Sequence, residues 1–275
     1  MGVFNLVVGR VFDVLFWPFS GFSPWFAMVF ISLLTSFLML WVFRLTSDQE
    51  GIKTAKNAIK AHLLEMRLYK DNMRVSFRSQ GRILKANLKY ITCNAKPLAV
   101  MIVPLLVILA QLNLWFGAAP LKPGEATLVK LELVRTADPM TIDAAVEASG
   151  GVAVETPPVR IADLSEIAWR IKALEPGPAG LIFRVAGKTL TKSVVITGRP
   201  LAKVSSLGVA GSAVKEFLYP GEKPLPGGTP VRAIEVLYTS RNLNFLGIGV
   251  NWLVAYFILS VIFGFAFKGV FKVEI

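Results

Sequence analysis

Cysteine and histidine are nearly absent from this chain of 275 residues, which has one of each, Cys93 and His62. A single cysteine excludes an internal disulfide framework, and one cysteine with one histidine cannot supply a zinc site of ordinary ligand spacing. One histidine also removes most histidine-based catalysis. We therefore expect no metal, no cofactor and no enzymatic activity.

Charge is also scarce: 17% of the residues are charged and 54% are hydrophobic, which favours a membrane protein. The net charge is +12, and it is unevenly placed. Residues 44–96 hold 12 Lys and Arg against 4 Asp and Glu, whereas residues 118–245 hold 15 against 12. A short, strongly basic segment indicates membrane topology rather than a DNA-binding surface.

Three stretches lack charge and are long enough to cross a bilayer: 25–43, 97–116 and 248–267. A helix of about 20 residues reaches roughly 30 Å, the thickness of the hydrocarbon layer. They predict transmembrane helices 1, 2 and 3, the third with its flanks covering 246–268.

Orientation follows from the basic segment, since cytoplasmic loops are rich in Lys and Arg. Residues 44–96 and the tail 269–275 are then cytoplasmic, while the N-terminus and residues 117–245 lie outside a prokaryotic cytoplasmic membrane. Residues 1–24 have no basic region and cleavage site typical of a signal peptide. They favour a short helix in the outer interface, turning at Pro18 and Pro24 into the first span.

The cytoplasmic segment 44–96 predicts a coiled-coil hairpin. Ser47 with Glu50 fits a capping box at the start of the first arm. Apolar residues then recur at heptad spacing, and after "KDN" a second stripe returns to the membrane. The first seam is Ile52, Ala55, Ile59, His62, Met66 and Tyr69; the second is Val75, Phe77, Leu84, Leu88 and Ile91.

The outer region 117–245 has 12 of the 16 prolines and short alternating runs such as "ATLVKLEL" and "KSVVITG". Strands separated by Pro/Gly turns at this spacing predict a β-sandwich. "ADLSEIAWRIKAL" is compatible with a strand or a helix, and "TIDAAVEAS" with a short helix or an exposed loop. The predicted fold is an α-helical membrane protein with three transmembrane helices, a cytoplasmic helical hairpin and an extracytoplasmic β-sandwich domain.

Hydroxyl side chains within the spans have two interpretations. Ser32, Thr35, Ser36 and Ser260 can serve close helix packing, which is common in membranes, or line a water-accessible groove. Arg44, at the cytoplasmic end of the first span, is either a topology anchor or a cation pointing into that groove.

The order of spans and hairpin resembles the YidC/Oxa/Alb insertase superfamily, in its three-span branch. That branch includes archaeal YidC-like proteins, the insertase subunit of the ER membrane complex and the Get-pathway insertase subunit. The resemblance covers residues 1–116 and 246–275 and is carried mainly by "FRLTSDQEGIKTAKNAIKAHLLEM" and "NAKPLAVMIVPLLVILAQL". The large outer domain is a departure from the minimal members.

The resemblance implies membrane-protein insertion: a short hydrophobic segment leaves the hairpin, enters a polar groove and moves into the bilayer. Arg44 is similar in placement to the family's groove arginine, and Ser32, Thr35, Ser36 and Ser260 are groove candidates. Candidate contacts for nascent membrane proteins or the ribosome are the hairpin residues Met66, Met73, Arg67, Arg74, Arg78 and Arg82. The alternative is a non-catalytic scaffold whose outer domain binds a protein partner.

Overall fold

The computed structural model describes residues 2–210, 217–245 and 247–274. The predicted outer domain includes residues 211–216, and the predicted third span and tail include residues 246 and 275, all of which lie outside the described residues. The chain divides into two compact units. One comprises Met1–Met28 and Leu106–Ala255, and the other Val29–Leu105 and Tyr256–Ile275.

Antiparallel β-sheets make up most of the first unit. The strands of its two larger sheets are β1 Ala126–Leu133, β2 Ala144–Ser149, β3 Val152–Val154, β4 Val159–Ile161, β5 Glu166–Ala173, β6 Gly177–Val185, β7 Lys188–Ile196, β8 Leu207–Val209 and β9 Val231–Val236. One sheet has the order β3-β5-β1-β9-β8, with β4 also paired to β5, and the other has the order β2-β6-β7.

The two sheets share one hydrophobic core. Alternate residues of β1 (Val129, Leu131 and Leu133) are buried in it, as the period of two in "ATLVKLEL" predicts. Trp169 on β5 meets Phe183 on β6 edge-on, with ring centroids 5.7 Å apart. Side chains from both sheets fill this core, which is the arrangement of a β-sandwich.

Two ambiguous segments of the sequence are strands. "ADLSEIAWRIKAL" contains β5, whose long register with β1 runs from Ala126 opposite Lys172 to Glu132 opposite Glu166. The expectation of a short helix or exposed loop for "TIDAAVEAS" is wrong, because β2 occupies its second half and pairs with β6. Only Ala144 of β2 is fully buried, which explains why the strand has so weak an apolar pattern.

The N-terminal segment forms helix α1, Gly2–Phe16, followed by a 3-10 helix, Trp17–Phe19. Phe16 is fully buried against Trp115 and Phe116, with ring centroids 5.0 and 5.7 Å away. The predicted short helix is therefore present, and aromatic contacts within its own unit hold it.

The other helices are α2 Pro24–Thr46, α3 Gln49–Leu68, α4 Met73–Phe116 and α5 Trp252–Phe267. Among the described residues, α2 and α4 are long and apolar enough to cross a membrane, by length and composition. The apolar helix α5 has only 16 residues and reaches about 24 Å. Because α4 is continuous, the predicted boundary at residue 97 between hairpin and span falls inside one helix.

The predicted start of the third span at residue 248 is wrong. Strand β11, Ile248–Asn251, pairs with β10, Asn242–Phe245, across a turn in which Gly247 has φ +89°. The Asn251 side chain then accepts a hydrogen bond from the backbone N–H of Leu253 at 2.9 Å, which caps the new helix. The apolar run "IGVN" therefore ends a β-hairpin before α5 begins.

The first arm of the predicted hairpin is α3, and its cap differs from the prediction. Asp48, not Ser47, is the N-cap, and its carboxylate accepts the N–H of Gly51 at 2.9 Å. Ile52 and Ala55 are fully buried, and the predicted seam continues half-buried to Met66. Tyr69 lies beyond the last helical residue and is exposed.

The apolar stripe of the second arm was predicted to pack against the first arm, but it faces outward. Phe77, Leu84, Leu88 and Ile91 are exposed, and only Val75 is half-buried. The buried face of α4 is instead built from small residues, Ser79 and Ala86, with Ile83, Tyr90 and Cys93 half-buried beside them. Small side chains allow two helices to approach closely, so large ones are not needed at this contact.

Candidate functional site

A pocket of about 270 Å³ lies between α2, α4 and α5 in the second unit. Most of its wall is apolar, with hydroxyl groups contributed by α2 and α5. The lining residues are Thr35, Ser36, Met39, Leu40 and Phe43 of α2, Leu98, Met101 and Leu105 of α4, and Tyr256, Phe257, Ser260 and Gly264 of α5.

Ser36 joins α2 to α5 by a hydrogen bond. Its hydroxyl lies 2.7 Å from the carbonyl oxygen of Ser32 one turn earlier and 2.9 Å from that of Ser260 on α5, and it donates to both. The first contact is the usual back-bond of a helical serine, while the second joins two helices. The contact is buried, so the helices meet closely along this line.

Among the described residues, four neighbouring buried hydroxyls make no well-formed hydrogen bond: those of Ser32, Thr35, Tyr256 and Ser260. The Tyr256 hydroxyl interacts with those of Thr35 and Ser260, but these contacts do not satisfy the group. A buried polar group without a partner is costly, and it usually indicates a role or a bound polar molecule. Here the incompletely hydrogen-bonded hydroxyls of Thr35, Tyr256 and Ser260 border the pocket, where a water or a polar group of another chain can satisfy them.

The predicted groove residues are only partly brought together. Thr35, Ser36 and Ser260 line the pocket, and Ser32 is buried beside them on α2. Arg44 is exposed in the last turn of α2 and does not line the pocket. Tyr256 was not among the predicted groove residues, although it precedes Ser260 by one helical turn and so shares its face.

The C-terminal tail anchors the start of α3 in the same unit. Val273 is buried in a cluster with Leu40, Phe43 and Ile52. The backbone N–H of the next residue, Glu274, donates to the side-chain oxygen of Gln49 at 2.7 Å. Residues 273 and 274 of the predicted cytoplasmic tail thus contact the base of the hairpin.

A polar cluster joins the two arms of the hairpin. Glu65 lies 3.0 Å from the Nδ1 atom of His62 and 3.5 Å from a guanidinium nitrogen of Arg82 on α4. The hydrogen bond with His62 is the main cause that lowers the pKa of Glu65, and the charge of Arg82 adds to it. The lone histidine is therefore a structural residue of the seam.

The predicted hairpin contact residues differ in exposure. Met73, Arg67, Arg74 and Arg78 are exposed, Arg82 is exposed but paired with Glu65, and Met66 is half-buried in the seam. Four exposed positions can meet another molecule without rearrangement, whereas Met66 already serves the fold.

The β-sandwich contains an ion pair whose lysine is buried. Lys192 donates to Glu222 at 2.9 Å and to the carbonyl of Ser205 at 2.8 Å. Burial lowers the pKa of Lys192, and Glu222 opposes that shift. Among the described residues, no three His, Cys, Asp or Glu side chains are grouped to hold a metal.

Comparison with known proteins identifies no relative: no family model, no curated protein and no solved structure matches this chain.

Proposed function

We propose that the protein is a membrane-protein insertion or biogenesis factor of the insertase type. In this proposal α2, α4 and α5 each span a prokaryotic cytoplasmic membrane. The hairpin of α3 and the first part of α4 is cytoplasmic, and the β-sandwich is outside. The basic segment 44–96 supports the orientation, because positive charge is retained on the cytoplasmic side.

The observation that carries the proposal is the pocket with its incompletely hydrogen-bonded hydroxyls. A segment entering a bilayer must bring polar backbone or flanking groups past hydrocarbon, which is unfavourable without partners. The hydroxyls of Thr35, Tyr256 and Ser260 offer such partners inside otherwise apolar walls. The short helix α5 also favours a locally thinned bilayer, which shortens the path.

The test is an insertion assay with short-tailed membrane substrates in cells or vesicles that depend on this protein. Ser36→Leu places a branched side chain in the pocket and should reduce insertion strongly. Leu34→Phe is the matched control, because Leu34 is on the same helix but is exposed away from the pocket. Normal insertion after depletion of the protein, or with Ser36→Leu, would reject the proposal.

A second candidate function is a non-catalytic scaffold within a larger membrane complex. The direct hydrogen bond from Ser36 to the Ser260 carbonyl favours it, since helices closed against each other leave little passage. In that case depletion leaves insertion intact, and the protein co-purifies in mild detergent with a stable partner bound to the outer β-sandwich. A lone monomer would count against the scaffold.

A further inference from the structure

The first part of α4 has an apolar outward face that none of the described residues covers. Six residues make up this face, and we refer to them as the outward stripe: Met73, Phe77, Gly81, Leu84, Leu88 and Ile91. Its five large side chains are between 57% and 68% exposed. At about 100° per residue they lie on one side of the helix, opposite the buried Ser79 and Ala86 that face α3.

From Phe77 onward the outward stripe follows a heptad pattern. Phe77, Leu84 and Ile91 occupy d positions, and Gly81 and Leu88 occupy a positions. Apart from its chain neighbours and the nearby backbone of its own helix, no atom of the described residues lies within 4 Å of where a Cβ on Gly81 would stand. The stripe therefore has both the spacing and the room that a second helix needs.

Charge is distributed on one side of this stripe only. The basic residues of α4 all fall within about 80° of its circumference, along one flank of the outward stripe; they are Arg74, Arg78, Arg82, Lys85, Lys89 and Lys96. Between Phe77 and Ile91 the e positions of the heptad are Arg78 and Lys85, and the g positions are the neutral Gln80 and Asn87. The helix contains no Asp or Glu.

We propose that the outward stripe binds an amphipathic helix of a partner protein that carries apolar residues at heptad spacing and carboxylates along one flank. Residues at e and g positions select the partner of a coiled coil, and basic e positions select acidic ones. The proposal thus gives the class of partner that the hairpin binds. It rests on the proposed function in one respect only, namely that the hairpin lies in water and not in the bilayer.

Two other occupants fit less well. In an antiparallel pair with a second copy of α4, basic e positions would face basic e positions. In a parallel pair they would face the neutral Gln80 and Asn87. Neither arrangement forms ion pairs between the helices. An anionic membrane surface suits a basic amphipathic helix that lies flat. Here the stripe continues without a break into the apolar part of α4, which is proposed to cross the same bilayer.

The test uses the full chain in zwitterionic nanodiscs and three labelled synthetic peptides of 28 residues. The acidic peptide has Leu at a and d and Glu at e and g. The second has Lys in place of Glu, and the third is a scramble of the acidic one. Fluorescence anisotropy should show saturable binding of the acidic peptide alone.

Matched variants locate the binding site. Leu84→Gln with Leu88→Gln should weaken binding about tenfold or more, because two apolar contacts are lost. Lys85→Glu should weaken it about fivefold, whereas Lys89→Glu, on the same helix at a b position, should change it less than twofold. Thermal melting of each variant checks that the fold is retained.

Two results of the peptide experiment would overturn the inference: equal binding of the scrambled peptide, or equal effects of Lys85→Glu and Lys89→Glu. Two other results would do so as well. One is stripe-dependent binding to phosphatidylglycerol vesicles in place of the peptide, and the other is self-association through the stripe, measured by light scattering. Ser36→Leu should bind the peptide normally. Failure of insertion and failure of partner binding are therefore separate outcomes.

Discussion

The buried ion pair of the β-sandwich allows a sharp prediction of stability. The Lys192 side chain is 0% exposed, while that of its partner Glu222 is 18% exposed. Glu222→Gln keeps the shape and the hydrogen-bonding capacity of the side chain but removes its charge. The Lys192 ammonium is then buried without a counter-ion.

The magnitude follows from which partner remains. Removing one member of a buried pair and leaving the other charge uncompensated costs about 3–5 kcal/mol. Lys192→Met should cost less, about 1–3 kcal/mol, because the more exposed Glu222 can be hydrated and still meets the Ser193 hydroxyl. The double variant should be more stable than Glu222→Gln alone, since no buried charge is left.

Hydrogen exchange of the full chain in detergent measures these effects within the domain. A loss of 3 kcal/mol should accelerate exchange of the most protected amides of β1 and β9 roughly 150-fold, provided they exchange by unfolding of the sandwich. Glu147→Gln is the control, because its pair with Arg184 is exposed and is worth about 0–1 kcal/mol. The reasoning fails if Glu222→Gln behaves like Glu147→Gln, or if Lys192→Met is the more damaging change.

Three further effects are expected. Asp48→Ala should cost about 1 kcal/mol and speed exchange in the first turn of α3, while Asp48→Ser should restore protection. Tyr238→Phe should cost about 1–3 kcal/mol in the same exchange assay, because the Val195 N–H loses its acceptor at 3.0 Å. The pKa of Glu65 is lowered from 4.5, chiefly by its hydrogen bond with His62. Its contribution to stability is therefore full above pH 4.5 and is lost as the pH falls below that value. The melting temperatures of wild type and Glu65→Gln, followed by circular dichroism, should accordingly differ above pH 4.5 and converge below it.

Local patterns predicted the elements whose own apolar residues recur at a clear period. The seam of α3 from Ile52 to Met66 follows from 3.6-residue periodicity, and the alternation of β1 follows from a period of two. The N-cap was misplaced by one residue because Ser47 and Asp48 are both good caps. The choice between them is made by a single 2.9 Å hydrogen bond.

Elements that are defined by pairing with another strand could not be predicted in the same way. Residues 248–251 look like the beginning of an apolar span, and only pairing with Asn242–Phe245 makes them a strand. Strand β2 is likewise defined by β6, since most of its own residues are not buried. For the pocket, hydroxyl spacing identified Ser36 and Ser260, but which hydroxyls remain without partners depends on the packing of three helices.

The mistaken stripe of α4 is itself informative about function. Hydrophobic periodicity indicates that a helix face is buried, but it does not say by what. In the structure Ser79 and Ala86 are buried, whereas Phe77, Leu84 and Leu88 are exposed to solvent. Large apolar side chains that are regularly spaced but exposed are the residues expected to bind another molecule. The row of basic residues along one side of them favours a partner helix that carries acidic residues.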